Sequence, residues 1–175
     1  MRFLPLILIL LISFTSCKSS KLSKKDESES VAKTPTITKG TNTISPKALK
    51  IYNIVKHANS FSGTKYKFGG TTKKGMDCSG LIYIAFKNEQ ILLPRVSKDM
   101  ATRGFPISVK EIKKGDLLFF QTSKKRRGIN HVGLVTNISN NTIEFIHSTT
   151  SKGVITSSLS ERYWQTTFKE ARRLL

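Results

Sequence analysis

The sequence predicts an α+β domain in which N-terminal helices pack on a small antiparallel sheet. Three observations predict it. Apolar residues recur at helical spacing through much of residues 46–90, and from Gly115 onward the pattern changes to short apolar runs parted by turn residues. Their order is the third: helices first, then strands with no helix between successive runs, which fits antiparallel pairing rather than βαβ units.

The domain is expected to begin at Ser45-Pro46, serine as N-cap and proline in the first helical turn. Leu49, Tyr52, Ile54 and Val55 give that helix an apolar stripe, and Gly63 closes the region. His57 falls on it and is read as a packing or surface residue. Thr64 to Gly70 is extended and ends in a double-glycine turn. A second helix follows from Cys78 to about Gln90, with Leu81, Ile82, Ala85 and Phe86 on its buried face. Residues 95–114 are weakly periodic and suit a short helix and a loop. Then come strands at Asp116–Phe120, His131–Ile138, Thr142–His147, Val154–Thr156 and Phe168–Leu174, so four or five in all.

Ahead of the domain, residues 1–17 read as an export signal. Arg2 supplies the positive end, and the apolar run Phe3–Ile12 is too short to span a bilayer as a helix. Residues 18–45 are rich in serine and threonine, carry the mixed charges Lys24, Lys25, Asp26, Glu27 and Glu29, and read as a disordered tether. As a coil it would span about 30 Å.

Thirty Lys and Arg against eleven Asp and Glu give a formal net charge of +19. Such a balance suits anionic lipid, an acidic wall polymer or simply a solvated basic face. No nucleic-acid-binding motif accompanies it, so nucleic acid is not an expected partner. The two cysteines, Cys17 and Cys78, supply neither a disulfide framework nor C-x-x-C spacing; no metal or other cofactor is expected.

Cys78 carries the chemistry. Asp77 is a plausible N-cap, which leaves Cys78 at the positive end of a helix dipole, where the nucleophilic thiolate is favoured. A nucleophilic cysteine needs a base, and the base needs an orienting group. His131 opens one predicted strand and His147 closes the next after the Asn140-Asn141 turn, so a hairpin brings the two imidazoles side by side. Taken singly, Cys78 also fits a small core residue, and each histidine a half-buried strand position.

Five blocks in order change that balance: Tyr66-Lys67-Phe68-Gly69-Gly70, Asp77-Cys78-Ser79-Gly80-Leu81, Gly115-Asp116-Leu117-Leu118-Phe119-Phe120, His131-Val132-Gly133-Leu134-Val135 and Phe145-Ile146-His147-Ser148. In order and spacing they resemble the NlpC/P60 cysteine peptidases, over roughly residues 48–175. The resemblance implies a circularly permuted papain-like fold over residues 46–175 and hydrolysis of peptidoglycan stem peptides, at the γ-D-glutamyl–diamino acid bond or the stem cross-link. It implies Cys78 as nucleophile, His131 as base and His147 as the third member. It also implies Tyr66 near the oxyanion, with Asp77 and Ser79 in substrate binding. The sequence departs from the family at Phe68, where tryptophan is commoner, and in the basic loop Lys124-Lys125-Arg126-Arg127.

The ending Ser13-Phe14-Thr15-Ser16-Cys17 resembles a bacterial lipoprotein signal, with Phe14 where leucine is usual. Lipidation of Cys17 would anchor an exported, periplasm-facing protein to a membrane of the cell envelope. Ordinary signal cleavage near Ser16 is the alternative. A monomer is expected. Other readings of the domain are an amidase or acyltransferase on the same thiol fold, or a wall-binding module that does not cut.

Overall fold

The computed structural model describes residues 44–175 apart from Lys124 and Arg126. The export signal, the acceptor Cys17, residues 18–43 of the tether and those two basic-loop residues lie outside the described residues.

Helix α1 spans Pro46–Asn59, with the Ser45 hydroxyl accepting from the Ala48 N–H at 3.2 Å. It is shorter than its apolar pattern suggested, because Ser60 donates its N–H back to the Lys56 and His57 carbonyls and the chain turns there. Gly63, at φ +80°, then gives its N–H to the Val154 carbonyl and leads the chain toward the sheet. Two short strands, β1 (Thr71–Thr72) and β2 (Gly75–Met76), form a hairpin ahead of α2 (Cys78–Lys87). This second helix stops before Gln90, which takes a left-handed φ of 61°.

Residues 95–114 hold more than a helix and a loop. They contain α3 (Ser97–Met100), β3 (Phe105–Ile107) and a single 3-10 turn at Val109–Glu111. The remaining elements are β4 (Leu117–Phe120), β5 (His131–Ser139), β6 (Thr142–Thr149), β7 (Gly153–Ser158), α4 (Arg162–Thr167) and β8 (Phe168–Arg173). One antiparallel sheet runs β3-β8-β4-β5-β6-β7. It has six strands rather than four or five, the addition being β3. That strand is three residues long and contains Pro106, which a sheet tolerates at its edge but which hides the strand from any reading by propensity.

The sheet buries both faces. Leu117, Phe119, Val132, Leu134 and Ile146 belong to the core shared with α1 and α2. Leu118, Phe120, Val135 and Phe145 join a second cluster around Trp164 of α4. Alternation along each strand produces this division, one residue to each face in turn. Gly133 is required within it: a Cβ there would overlap the Phe145 ring. Asp116, almost fully buried, accepts from Arg173 at 2.9 and 2.8 Å and from the Lys113 N–H at 2.6 Å, tying the start of β4 to the end of β8. Among the described residues no helix is long and apolar enough to cross a membrane.

Candidate active site

The nucleophile candidate is placed by the first turn of α2. Asp77 caps this helix, its Oδ1 accepting from the Gly80 N–H at 2.6 Å. Gly80 packs against the double-glycine turn so closely that a Cβ would overlap the Gly70 carbonyl. The Asp-Cys-Ser-Gly block thus combines a cap, a nucleophile candidate and a point of backbone contact.

Asp77 is held from several sides. Arg95 donates to its Oδ1 at 2.9 Å and its Oδ2 at 2.8 Å, the Gly69 N–H donates to Oδ2 at 2.8 Å, and the Ser79 hydroxyl to Oδ1 at 3.3 Å. Arg95 also reaches the Ser79 hydroxyl at 2.9 Å and the Gly70 carbonyl at 3.3 Å. Burial raises the Asp77 carboxyl, but the Arg95 hydrogen bonds, the Gly80 N–H, the Arg95 charge and the Gly69 N–H outweigh it, so the group sits below its ordinary value. Asp77 and Ser79 are therefore engaged with Arg95, a residue that the sequence analysis did not single out.

The two histidines meet as the hairpin suggested. His131 Nε2 and His147 Nδ1 are 2.9 Å apart, and His147 Nε2 lies 3.1 Å from the Ser157 hydroxyl on β7. His131 is largely buried and His147 fully so. With His131 Nε2 engaged, Nδ1 is its remaining nitrogen. For Nδ1 to accept a proton, Nε2 must carry the hydrogen and donate it to His147 Nδ1. His147 then carries its own hydrogen on Nε2 and donates it to Ser157 Oγ. One tautomer of each ring satisfies the whole chain.

Trp164 covers this pair. Its ring stacks on His131, centroids 5.4 Å apart at 21°, and meets His147 edge-on at 4.5 Å. Phe120 and Phe145 complete the apolar surround. Sequence reasoning did not single out Trp164 for the site, since nothing local ties a tryptophan 33 positions away to His131.

Cys78 and His131 line one cavity of about 370 Å³ together with Tyr66, Thr122, Asn130, Ser148 and Trp164. The Val132 N–H, at the start of β5, is among the backbone groups that favour the Cys78 thiolate. The electrostatics run against the expected resting thiolate. Burial, and then the Asp77 charge, push the Cys78 thiol up, although the N–H groups of Val132, Ser79 and Cys78 itself pull the other way. Burial pushes His131 down to about 4; burial, joined by His131, pushes His147 to about 3. In the free protein both directions favour a neutral thiol beside a neutral imidazole. The helix-terminus argument described the local field correctly and had no access to the desolvation that opposes it. His57 stands apart from this cleft, edge-on to Phe61 at 5.3 Å.

A cysteine at a helix start, a buried histidine pair and a shared cleft against an antiparallel sheet are the parts of a thiol-dependent hydrolase. The family follows from sequence comparison: the NlpC/P60 family model matches residues 63–173, and the chain belongs to that family. It is 43% identical over 116 residues to the probable endopeptidase NlpC of Escherichia coli K12, covering 66% of this chain and 72% of that protein. It is 40% identical to the E. coli K12 murein DD-endopeptidase MepS/murein LD-carboxypeptidase, covering 66% of this chain and 58% of the other. Among solved structures, a lipoprotein-like NLP/P60 protein of Staphylococcus aureus superposes with a TM-score of 0.63 at 33% identity, covering 73% of this chain and 42% of that one. The fold is the expected NlpC/P60 arrangement of helices on an antiparallel sheet.

Proposed function

We propose that this protein is a cysteine endopeptidase that hydrolyses amide bonds in peptidoglycan stem peptides. The observation that carries the proposal is the cleft itself: Cys78 at the head of α2, sharing a cavity with His131, whose far nitrogen is 2.9 Å from His147. Membership of a family whose relatives include named peptidoglycan endopeptidases supports the choice of substrate.

The reaction starts from a neutral thiol. Sγ of Cys78 attacks the scissile carbonyl carbon while its proton passes to His131 Nδ1. The backbone N–H of Cys78 and the Tyr66 side chain hold the developing oxyanion. His147, its Nδ1 accepting from His131 Nε2, steadies the imidazolium. His131 then protonates the leaving amine, the C–N bond breaks and a thioester remains on Cys78. Water, giving a proton to His131, hydrolyses the thioester and restores the thiol. Asp77 and Ser79 act in this scheme by fixing the start of α2 through Arg95.

The reading takes residues 46–175 as the catalytic domain, carried behind the 18–45 tether on an acylated Cys17 in the cell envelope. Arg2, the short apolar run and Ser16-Cys17 support that anchor. Membrane fractionation of the full chain and of Cys17→Ser tests it: the variant should leave the membrane fraction, and an unchanged distribution would remove the anchor. The activity is tested by digesting isolated peptidoglycan with the full chain and identifying the products by mass. Cuts within the stem peptide are expected. A cut between lactyl group and peptide would make the protein an amidase; binding without any cut would make it a wall-binding module.

A further inference from the structure

Asn130 stands in the middle of the cleft, and the mechanism above gives it no part. The cavity that holds His131 adjoins a second one of about 530 Å³, and among the described residues Tyr66, Phe68, Cys78 and Asn130 are the four that line both. A substrate lying across Cys78 therefore passes Asn130. Its side chain is oriented by Thr122. The Asn130 Oδ1 accepts from the Thr122 N–H at 2.8 Å and from the Thr122 hydroxyl at 3.1 Å. A backbone N–H can only donate, so the atom that faces it is the carboxamide oxygen; the flipped amide would set donor against donor. The nitrogen, Nδ2, is left with two hydrogens and no partner among the described residues.

The sheet aims this donor at the cleft. The Asn130 N–H donates to the Phe120 carbonyl at 3.0 Å, which carries the pairing of β4 and β5 one residue beyond His131. Alternation then turns Asn130, like Val132, toward α2, while His131 turns toward Trp164. The chemistry decides which half of the substrate it meets. His131 gives its proton to the leaving amine, so the leaving half lies on the His131 side of Cys78. Asn130 precedes His131 on the same wall, whereas the oxyanion forms against the N–H at the head of α2. We infer that Asn130 Nδ2 donates to an acceptor oxygen, carbonyl or carboxylate, on the residue whose amine is released. The inference rests on the endopeptidase reading above and adds the residue that seats the leaving half. Because Thr122 already holds Oδ1, little rotamer freedom is lost when the substrate binds.

The test uses the full chain carrying Cys78→Ala, so that binding is read by calorimetry without turnover. Its ligand is a stem-peptide fragment spanning the bond cut in the digest. A second fragment has a methyl in place of the carboxyl-derived group of the leaving residue. Adding Asn130→Ala should weaken binding of the first fragment about two- to tenfold, the scale of one hydrogen bond. The second fragment should bind equally with and without that change. Asn130→Asp keeps an oxygen for Thr122 but loses the donor, so it should bind the first fragment no better than Asn130→Ala does. Circular dichroism checks that each variant is folded, and the aspartate variant retains the Thr122 contact if the alanine variant does not fold. Unchanged affinity in Asn130→Ala, an equal loss on both fragments, or wild-type affinity in Asn130→Asp would each overturn the inference and leave the endopeptidase standing. A wild type that cuts no stem peptide would overturn the endopeptidase reading, and this inference with it.

Discussion

Ser157 offers the sharpest probe of the histidine chain. Its hydroxyl lies 3.1 Å from His147 Nε2, and His147 is fully buried. Ser157→Ala leaves that N–H without its acceptor in a place water does not reach. An unsatisfied buried donor costs about 1–3 kcal/mol. His147 can escape the cost by moving its hydrogen to Nδ1, but Nδ1 then faces the His131 Nε2–H, donor against donor, and no longer holds the base. At about 1.4 kcal/mol per factor of ten, kcat should fall roughly 5- to 150-fold. KM should change little, because Ser157 is not among the cleft-lining residues. Ser157→Thr keeps the hydroxyl and should recover much of the loss. The assay is stem-peptide hydrolysis at saturating substrate, with circular dichroism to confirm folding. A folded Ser157→Ala variant with wild-type kcat would refute the tautomer argument, and so would a loss that threonine fails to restore.

Three further outcomes follow from the same geometry. Tyr66→Phe should fold and lose about 10²–10³ in kcat as an oxyanion donor disappears; unchanged kinetics would take Tyr66 out of the mechanism. Arg95→Ala removes two bonds from a buried carboxylate but leaves its backbone donors, and Arg95 is itself about a third exposed. Urea unfolding should then show a loss of roughly 1–3 kcal/mol, below the full cost of breaking a buried ion pair, and an unchanged midpoint would show that the pair contributes nothing. Stability should also fall with acid before any carboxylate titrates. His131 and His147 have folded values below the ordinary 6.5, so above that pH both states are neutral and nothing is lost. Below it the unfolded chain binds protons that the folded protein refuses, down to about pH 4–3, at up to about 2.7 kcal/mol per pH unit for two protons. Asp77, depressed below 3.8, adds to the loss only at lower pH. Urea midpoints that stay flat between pH 7 and 5 would contradict the buried neutral pair.

The legible parts of the site are the local ones. An aspartate before a helical pattern is a cap by short-range chemistry, so Asp77 and the position of Cys78 could be read from a few residues. A tight turn between two strands sets its neighbours opposite each other, so His131 and His147 could be paired. Arg95, Ser157 and Trp164 reach the site from 18, 10 and 33 positions away from Asp77, His147 and His131. Tertiary packing brings them there, and no periodicity or motif spacing encodes it. The thiol is the instructive reversal. Helix-end electrostatics can be read from sequence, whereas the burial that outweighs it depends on the core that the sheet and helices build around Cys78. The same limit applied to β3, whose pairing with β8 alone makes Phe105–Ile107 a strand.

The central claim is that Cys78 forms a bond to the acyl half of the substrate. The most direct measurement is the intact mass of the full chain, acid-quenched during turnover of a stem-peptide substrate and then mapped by proteolysis. The account predicts an added mass equal to the acyl half, located on Cys78, and neither adduct nor cleavage with Cys78→Ala. Cleavage that persists in Cys78→Ala, or an adduct on another residue, would contradict it.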